Sequence, residues 1–298
     1  MDERKQFSFI RLGQCTFEQA LRLRNRGFEG YYFDVTVTMD QLLRSFAVNG
    51  IRPELSLVAC ADGHPVGFVF LAVKMLNGLK AAWNGGTGVI PEYRGYGLST
   101  ALMQEVKTLL TEQEVDRAYL EVLVQNSRAL SAYEKGGFHI ADRLIGLTRD
   151  GALEPEAFKA GECSGFKLQY GAPRTVKDIP YYREIAAWEC QWQNMAEGES
   201  LIIRAADGEP AAYALFKRNY SDEGMIKSIV LYQCEAAPGR VDRTELFRMA
   251  LKAVFGPKEL DCSRTTANLS GSNPDLIDML KEAGFKERYQ QHLMVMDL

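Results

Sequence analysis

Arg94, Gly95 and Gly97 stand at the mouth of an amphipathic segment, in the order Arg94-Gly95-Tyr96-Gly97-Leu98-Ser99-Thr100. Beyond them Leu98, Ala101, Leu102, Val106, Leu109 and Leu110 recur at steps of three and four, the spacing of one helix face. A helix that opens on glycines lets the backbone come close to a ligand and leaves its first N–H groups without intrahelical acceptors. Those donors sit at the positive end of the helix dipole, which suits an anion such as a pyrophosphate. No Gly-Lys-Ser/Thr closes the turn and the spacing is not GxGxxG, so neither a Walker loop nor a dinucleotide fold is read here. The plain alternative is an ordinary strand-to-helix turn that happens to contain glycines.

A second constellation follows as NSRALSAYEKGGF, Asn126 to Phe138. Together the two motifs resemble the GNAT acetyltransferases. That family binds the coenzyme A pyrophosphate with Arg/Gln-x-x-Gly-x-Gly/Ala, matched here with Ser99 where Gly or Ala is usual. It also carries Asn-x-x-Ala-x-x-x-Tyr-Glu-Lys-x-Gly-Phe after the fifth strand. The resemblance implies acetyl-CoA as cofactor, with Thr87, Gly88 and Val89 along the pantetheine arm and the Val89 N–H as oxyanion donor. It places Arg94, Gly95, Tyr96, Gly97, Leu98, Ser99 and Thr100 around the pyrophosphate and Asn126 on the arm. Tyr133 falls near the sulfur, where a phenol can protonate the departing thiolate. Read without the family, Thr87 to Val89 is a core strand and Tyr133 a packed helix tyrosine with its hydroxyl at the rim.

The general base is harder to name. The family often uses a glutamate on the fourth strand, but LKAAWNGGTGV has no carboxylate. Asn84 could hold a water but cannot be the base. Glu121 on the next strand and Asp34 are the nearest candidates, each also readable as a solvated or paired carboxylate; loss of the amine proton to solvent is the remaining route. Tyr31, Tyr32 and Phe33 lie where the family builds its acceptor wall. With Asp34 they suit an amine carrying apolar bulk, or else form a packing cluster. Trp83 joins that wall if the strand register allows.

The elements that must position these residues are legible in order. Thr16 reads as the N-cap of a helix ending at Gly27, and a second helix ends at Asn49-Gly50. Two β-rich runs meet at Asp62-Gly63, a hairpin signal. A strand over Leu79 to Val89 leads into the glycine turn. Arg117 to Gln125 reads as a strand, and His139 onwards as the last strand of the first half. The second half repeats the pattern: Glu199-Ser200 precedes Asp207-Gly208 as Glu54-Leu55 precedes Asp62-Gly63, and Asn273 to Phe285 echoes Asn126 to Phe138. This reads as a tandem duplication with an offset near 146 residues. In the second copy CEAAPGRVDRTEL replaces the glycine turn and Leu280 replaces the tyrosine. A helix is expected around Ile185 to Trp192. The join is expected in Asp150 to Gly165, dividing the chain into 1–150, an acetyl-CoA-binding GNAT domain, and 151–298, a degenerate GNAT-like domain. The fold class is α/β, each domain a mixed, mostly antiparallel sheet flanked by helices.

A chain of 298 residues, 46% hydrophobic and 25% charged, is long enough for two cores. Its net charge of −4 gives no basic footprint for nucleic acid or membrane. Six scattered cysteines and three histidines argue against a metal site and for reduced thiols in the cytoplasm. The N-terminal MDERKQFSFI has no signal-peptide run. The expectation is an N-acetyltransferase that moves an acetyl group to a primary amine of a small molecule or peptide by direct attack in a ternary complex. The alternative is a non-catalytic CoA-binding sensor or scaffold.

Overall fold

The computed structural model describes residues 6–159, 161 and 165–298. Met1 to Lys5, Cys163 and part of the expected join lie outside the described residues. The chain forms two compact units: residues 1–140 with 294–298, and residues 141–293. Among the described residues no helix is long and apolar enough to cross a membrane.

The first unit runs β1 (Ser8–Arg11), α1 (Phe17–Gly27), α2 (Met39–Asn49), β2 (Leu57–Ala61), β3 (His64–Leu76), β4 (Leu79–Val89), α3 (Leu98–Glu112), β5 (Arg117–Leu123) and α4 (Ser127–Lys135). Helix α1 starts where Thr16 and Gln19 exchange side-chain-to-backbone bonds, at 3.2 Å and 2.8 Å, and Thr38 with Gln41 repeats the device at α2. Asp62 (φ 50°) and Gly63 (φ 76°) make the two-residue left-handed turn that joins β2 to β3. Strands β1 to β4 pair antiparallel in sequence order, and β5 joins β4 in parallel. Leu98, Leu102, Met103, Val106, Leu109 and Leu110 of α3 are buried, one residue off the face read from the sequence, with Met103 taking the place of Ala101.

β6 (His139–Arg149) leaves the first unit at Ala141. The second unit continues with β7 (Lys167–Gly171), β8 (Glu199–Arg204), β9 (Pro210–Tyr220), β10 (Ile226–Ala236), α5 (Arg243–Phe255), β11 (Ser263–Thr266), β12 (Leu269–Ser270), α6 (Pro274–Glu282) and β13 (Lys286–Asp297). It repeats the plan of the first. β7 to β10 are antiparallel, β11 is parallel to β10, and Asn126 and Asn273 stand before α4 and α6, an offset of 273 − 126 = 147. Its core gathers Phe216, Phe247, Phe255, Leu246, Leu276 and Leu280.

Two expectations need correction. β6 pairs with β11 and β12, so the strand read as the last of the first half belongs mainly to the second unit. The first unit instead takes the chain's final residues. Met294, Val295 and Met296 are buried, Arg117 Nε donates to Asp297 Oδ1 at 2.6 Å, and the Leu298 N–H bonds the Asp116 carbonyl. The expected helix around Ile185 to Trp192 is two short 3-10 turns, Trp188–Cys190 and Trp192–Asn194. Side chains claim the carbonyls a helix would need: Gln191 Nε2 donates to the Glu184 carbonyl, Asn194 Nδ2 to that of Trp188, and Gln233 Nε2 to that of Cys190.

Candidate active site

Strands β4 and β5 part company part-way along. Their parallel pairing covers only Ala81↔Arg117, Ala82↔Ala118 and Trp83↔Tyr119, whereas β4 stays paired with β3 as far as Gly67↔Val89. On the next rung the Ile90 N–H donates to the Val66 carbonyl at 3.0 Å. Antiparallel rungs alternate, so the N–H and C=O of Val89 point away from β3, into the gap. Arg94 Nε donates to that Val89 carbonyl at 2.8 Å, and its Nη2 to the Gly27 carbonyl at 3.1 Å. Arg94 therefore ties the glycine turn to β4 and to the end of α1. The gap opens into a cleft of about 950 Å³, near the upper end for small-molecule sites.

One end of the cleft presents groups suited to an anion. Gly95 (φ 84°) and Gly97 (φ 77°) hold left-handed conformations, and a Cβ at either would meet nothing within 4 Å. The turn thus bends around open space. Gly97 offers no side chain to cap α3, and Leu98, Ser99 and Thr100 open into the cleft with their N–H groups at the helix start. Arg128 and Lys135 of α4 line the same cleft. Neither was picked out from the sequence, though their seven-residue spacing places them on one helix face. This combination of free backbone donors and cations fits the phosphates of coenzyme A.

At the other end Tyr133 is buried beside Thr87, whose hydroxyl Asn84 Nδ2 holds at 2.8 Å. Burial pushes the Tyr133 phenol above its ordinary pKa, and the neighbouring Thr87 hydroxyl partly opposes this. Tyr31 reaches over from the α1–α2 segment to lie beside Asn126. Its pKa is raised to about 12, by burial first and by the neighbouring Tyr133 second. The Tyr32 hydroxyl donates to the Gln125 carbonyl at 3.0 Å, so two adjacent tyrosines clamp the turn that Asn126 caps.

The cleft therefore gathers Thr87, Gly88, Val89, Arg94, Gly95, Gly97, Leu98, Ser99, Thr100, Asn126, Tyr133, Tyr31 and Tyr32. The other expected residues do not line it. Tyr96 and Phe33 are exposed. Asp34 is in solvent, its carboxylate held below the usual range by the Thr36 N–H at 2.8 Å. Asn84 is buried, accepting the Gly86 N–H and bonding Thr87. Glu121 accepts the Trp83 indole N–H at 2.7 Å, and Trp83 faces a second, smaller cavity. That cavity, about 100 Å³, lies between α1, α2 and β4, walled by Arg24, Phe28, Phe46, Phe70 and Trp83 among others. Phe28 lines both spaces. Sequence reading did not find it, because its walls come from four separate segments.

The second unit has the same strand geometry with different contents. Pairing of β10 with β11 ends at Leu231↔Thr266. Beyond it Glu235 accepts from Arg183 Nε at 2.6 Å and from Asn273 Nδ2 at 2.8 Å, and Arg243 donates to Asn273. Helix α5 opens behind Asp242, which Arg240 grips with two bonds, and carries Glu245 in its first turn. Carboxylates at a helix N-terminus repel a phosphate, and the asparagine that is the counterpart of Asn126 is committed to an internal network.

Residues 18–138 match the family model described as Acetyltransferase (GNAT) family. L-amino acid N-acetyltransferase AaaT of Escherichia coli (strain K12) is 34% identical over 91 residues, 30% of this chain and 56% of that protein, so the chain spans about half the length of this curated relative. Among solved structures, a GCN5-related N-acetyltransferase from Sphaerobacter thermophilus superposes with a TM-score of 0.65 at 14% identity, over 100% of this chain and 96% of its own. A tandem GNAT protein from the clavulanic acid biosynthesis pathway covers 98% of both chains with a TM-score of 0.57 at 16% identity. Residues 18–138 are thus similar to the GNAT acetyltransferase family, and the chain as a whole has the fold of tandem GNAT structures.

Proposed function

We propose that the first unit is an N-acetyltransferase site that moves an acetyl group from acetyl-CoA to a primary amine. The observation that carries this reading is the parted β4–β5 pair, with the Val89 N–H and the Tyr133 phenol at one end and the glycine turn at the other. Acetyl-CoA, when bound, supplies an activated thioester. Leu98, Ser99 and Thr100 offer backbone donors to its pyrophosphate, with Arg128 and Lys135 balancing charge. The Val89 N–H donates to the carbonyl oxygen as negative charge develops there. The amine nitrogen bonds to the carbonyl carbon, the C–S bond breaks, and Tyr133 gives its proton to the sulfur. Glu121, fixed by Trp83, is the carboxylate next to the small cavity's wall and the candidate to receive the amine proton; solvent is the alternative.

A buried phenol and an exposed-donor turn at the two ends of one cleft favour turnover over a CoA sensor. Calorimetric titration of acetyl-CoA into wild type and Gly97→Glu tests the reading. One equivalent should bind wild type and none the variant, which adds bulk and negative charge at the turn. Wild type that binds no acetyl-CoA sinks the proposal. The related protein's name makes free L-amino acids the first acceptors to offer, with thiol release as the readout.

A further inference from the structure

We infer that the acceptor carries a carboxylate, which the Arg24 guanidinium reads from the small cavity beside the parted strands; this rests on the acetyl-transfer reading above. Arg24 is half-buried on α1, with its guanidinium carbon 5.2 Å from the centre of the Phe28 ring. Its Nη1 donates to the Val35 carbonyl and to Asn25 Oδ1, both uncharged. Its Nε and Nη2 make no hydrogen bond with the described residues. The ion pairs that α1 makes are those of Arg26, to Glu29 and Glu92, and Arg24 has none among the described residues. Burial alone pulls its pKa down, with no carboxylate to hold it up. A half-buried cation without a counter-charge is costly, and arginine's planar fork is shaped for two bonds to a carboxylate.

The cavity's position fits an acceptor. Gly85 and Gly86 line it and directly precede Thr87 and Gly88 of the cleft, so roughly 7 Å of strand separates the two along β4. Phe28 is their common wall. Size sets a limit: a cavity of roughly 150 Å³ holds benzene, so this space of about 100 Å³ takes about four non-hydrogen atoms. That admits a carboxylate and a short carbon chain, and excludes a peptide or an aminoglycoside from the cavity itself. Phe46, Phe70 and Trp83 supply apolar walls, and Gln41 and Ser45 of α2 the polar ones. Asp34, the anion that would have favoured a cationic acceptor, faces solvent instead.

The test has two stages. Acetyl-CoA binding is measured first by calorimetry, and its absence would be a failure of the acetyl-transfer reading, taking this inference with it. Thiol release is then followed with the L-amino acids, β-alanine and γ-aminobutyrate, and the best acid is compared with its own amide and with the amine lacking the carboxyl carbon. The acid should exceed both in kcat/KM by about tenfold or more. Arg24→Gln should lower kcat/KM for the acid by on the order of 10²-fold, mainly through KM, and bring the acid-to-amide ratio near one. Arg24→Lys should fall between, and acetyl-CoA affinity should stay within about twofold in both variants, which also reports that they fold. The inference is overturned if wild type treats acid and amide alike, if Arg24→Gln weakens both equally, or if only amines without a carboxylate are acetylated.

Discussion

Tyr133 is kept protonated by its surroundings, which suits the proton-donor role proposed for it. Its neutral phenol is buried beside Thr87, which Asn84 holds. Tyr133→Phe removes the hydroxyl and keeps the ring, so acetyl-CoA affinity should hold while kcat falls by about 10²-fold or more, the scale of one general acid. Stopped-flow thiol release separates the two. The pH profile follows from the same burial. Both Tyr133 and Tyr31 hold their protons above the ordinary value of 10.0, Tyr31 to about 12. The rate should therefore climb with pH as the acceptor amine loses its proton, with no descending limb below pH 10. Stability has a matching sign. A raised phenol pKa means the folded state favours the neutral form, so its contribution is complete below pH 10 and is lost as pH rises through about 12. Alkaline unfolding monitored by circular dichroism over that window checks it, and Tyr31→Phe should flatten the loss.

At the scale of elements, one irregularity aims the site. Between Phe70↔Gly86 and Leu71↔Asn84 the β3–β4 ladder slips, leaving Gly85 unpaired as a bulge. The slip comes just where β5 stops following β4. Across the bulge Asn84 bonds the Thr87 hydroxyl at 2.8 Å, on the strand that runs beside Tyr133. A Cβ on Gly85 would lie 2.6 Å from Trp83 Cζ3 and 2.9 Å from Ile51 Cδ1. Gly85→Ala should cost about 1–3 kcal/mol and lower thiol release while leaving acetyl-CoA affinity near wild type, because the glycine turn is untouched. Thermal melts with parallel calorimetry measure both. The two long helices, α3 and α5, show how one element plan yields opposite sites. The former starts on bare N–H groups, the latter behind an Asp242–Arg240 pair.

At the scale of the whole molecule, the division into units does not follow the order of the chain. A cut after residue 150, where sequence reading put the join, would leave the first unit without Met294, Val295 and Met296. Burying such side chains is worth roughly 1.5–3 kcal/mol each, comparable together with a domain's entire stability. The fragment 1–150 should therefore lack a cooperative melt at the full chain's temperature, even though it carries every residue assigned to the coenzyme site. A fragment that melts like the full chain would show that the last strand is dispensable.

The sequence by itself determined what depends on neighbours along the chain. The glycine turn, the helix caps at Thr16 and Thr38, the Asp62-Gly63 hairpin and the repeat of Asn126 at Asn273 are all local chemistry, and local chemistry dictates local backbone. The donors around Gly97 and the position of Asn126 were legible for that reason. Only the tertiary structure decided which side chains met. Arg24, Phe28, Phe46, Phe70 and Trp83 come from different elements, and no spacing rule brings them to one cavity. Asp34 looked like part of a wall because it adjoins three aromatics, yet its loop bonds it to Thr36 instead. The last strand shows the same limit: β6 and the final residues of β13 pair by sheet register and burial, which no segment of sequence specifies alone.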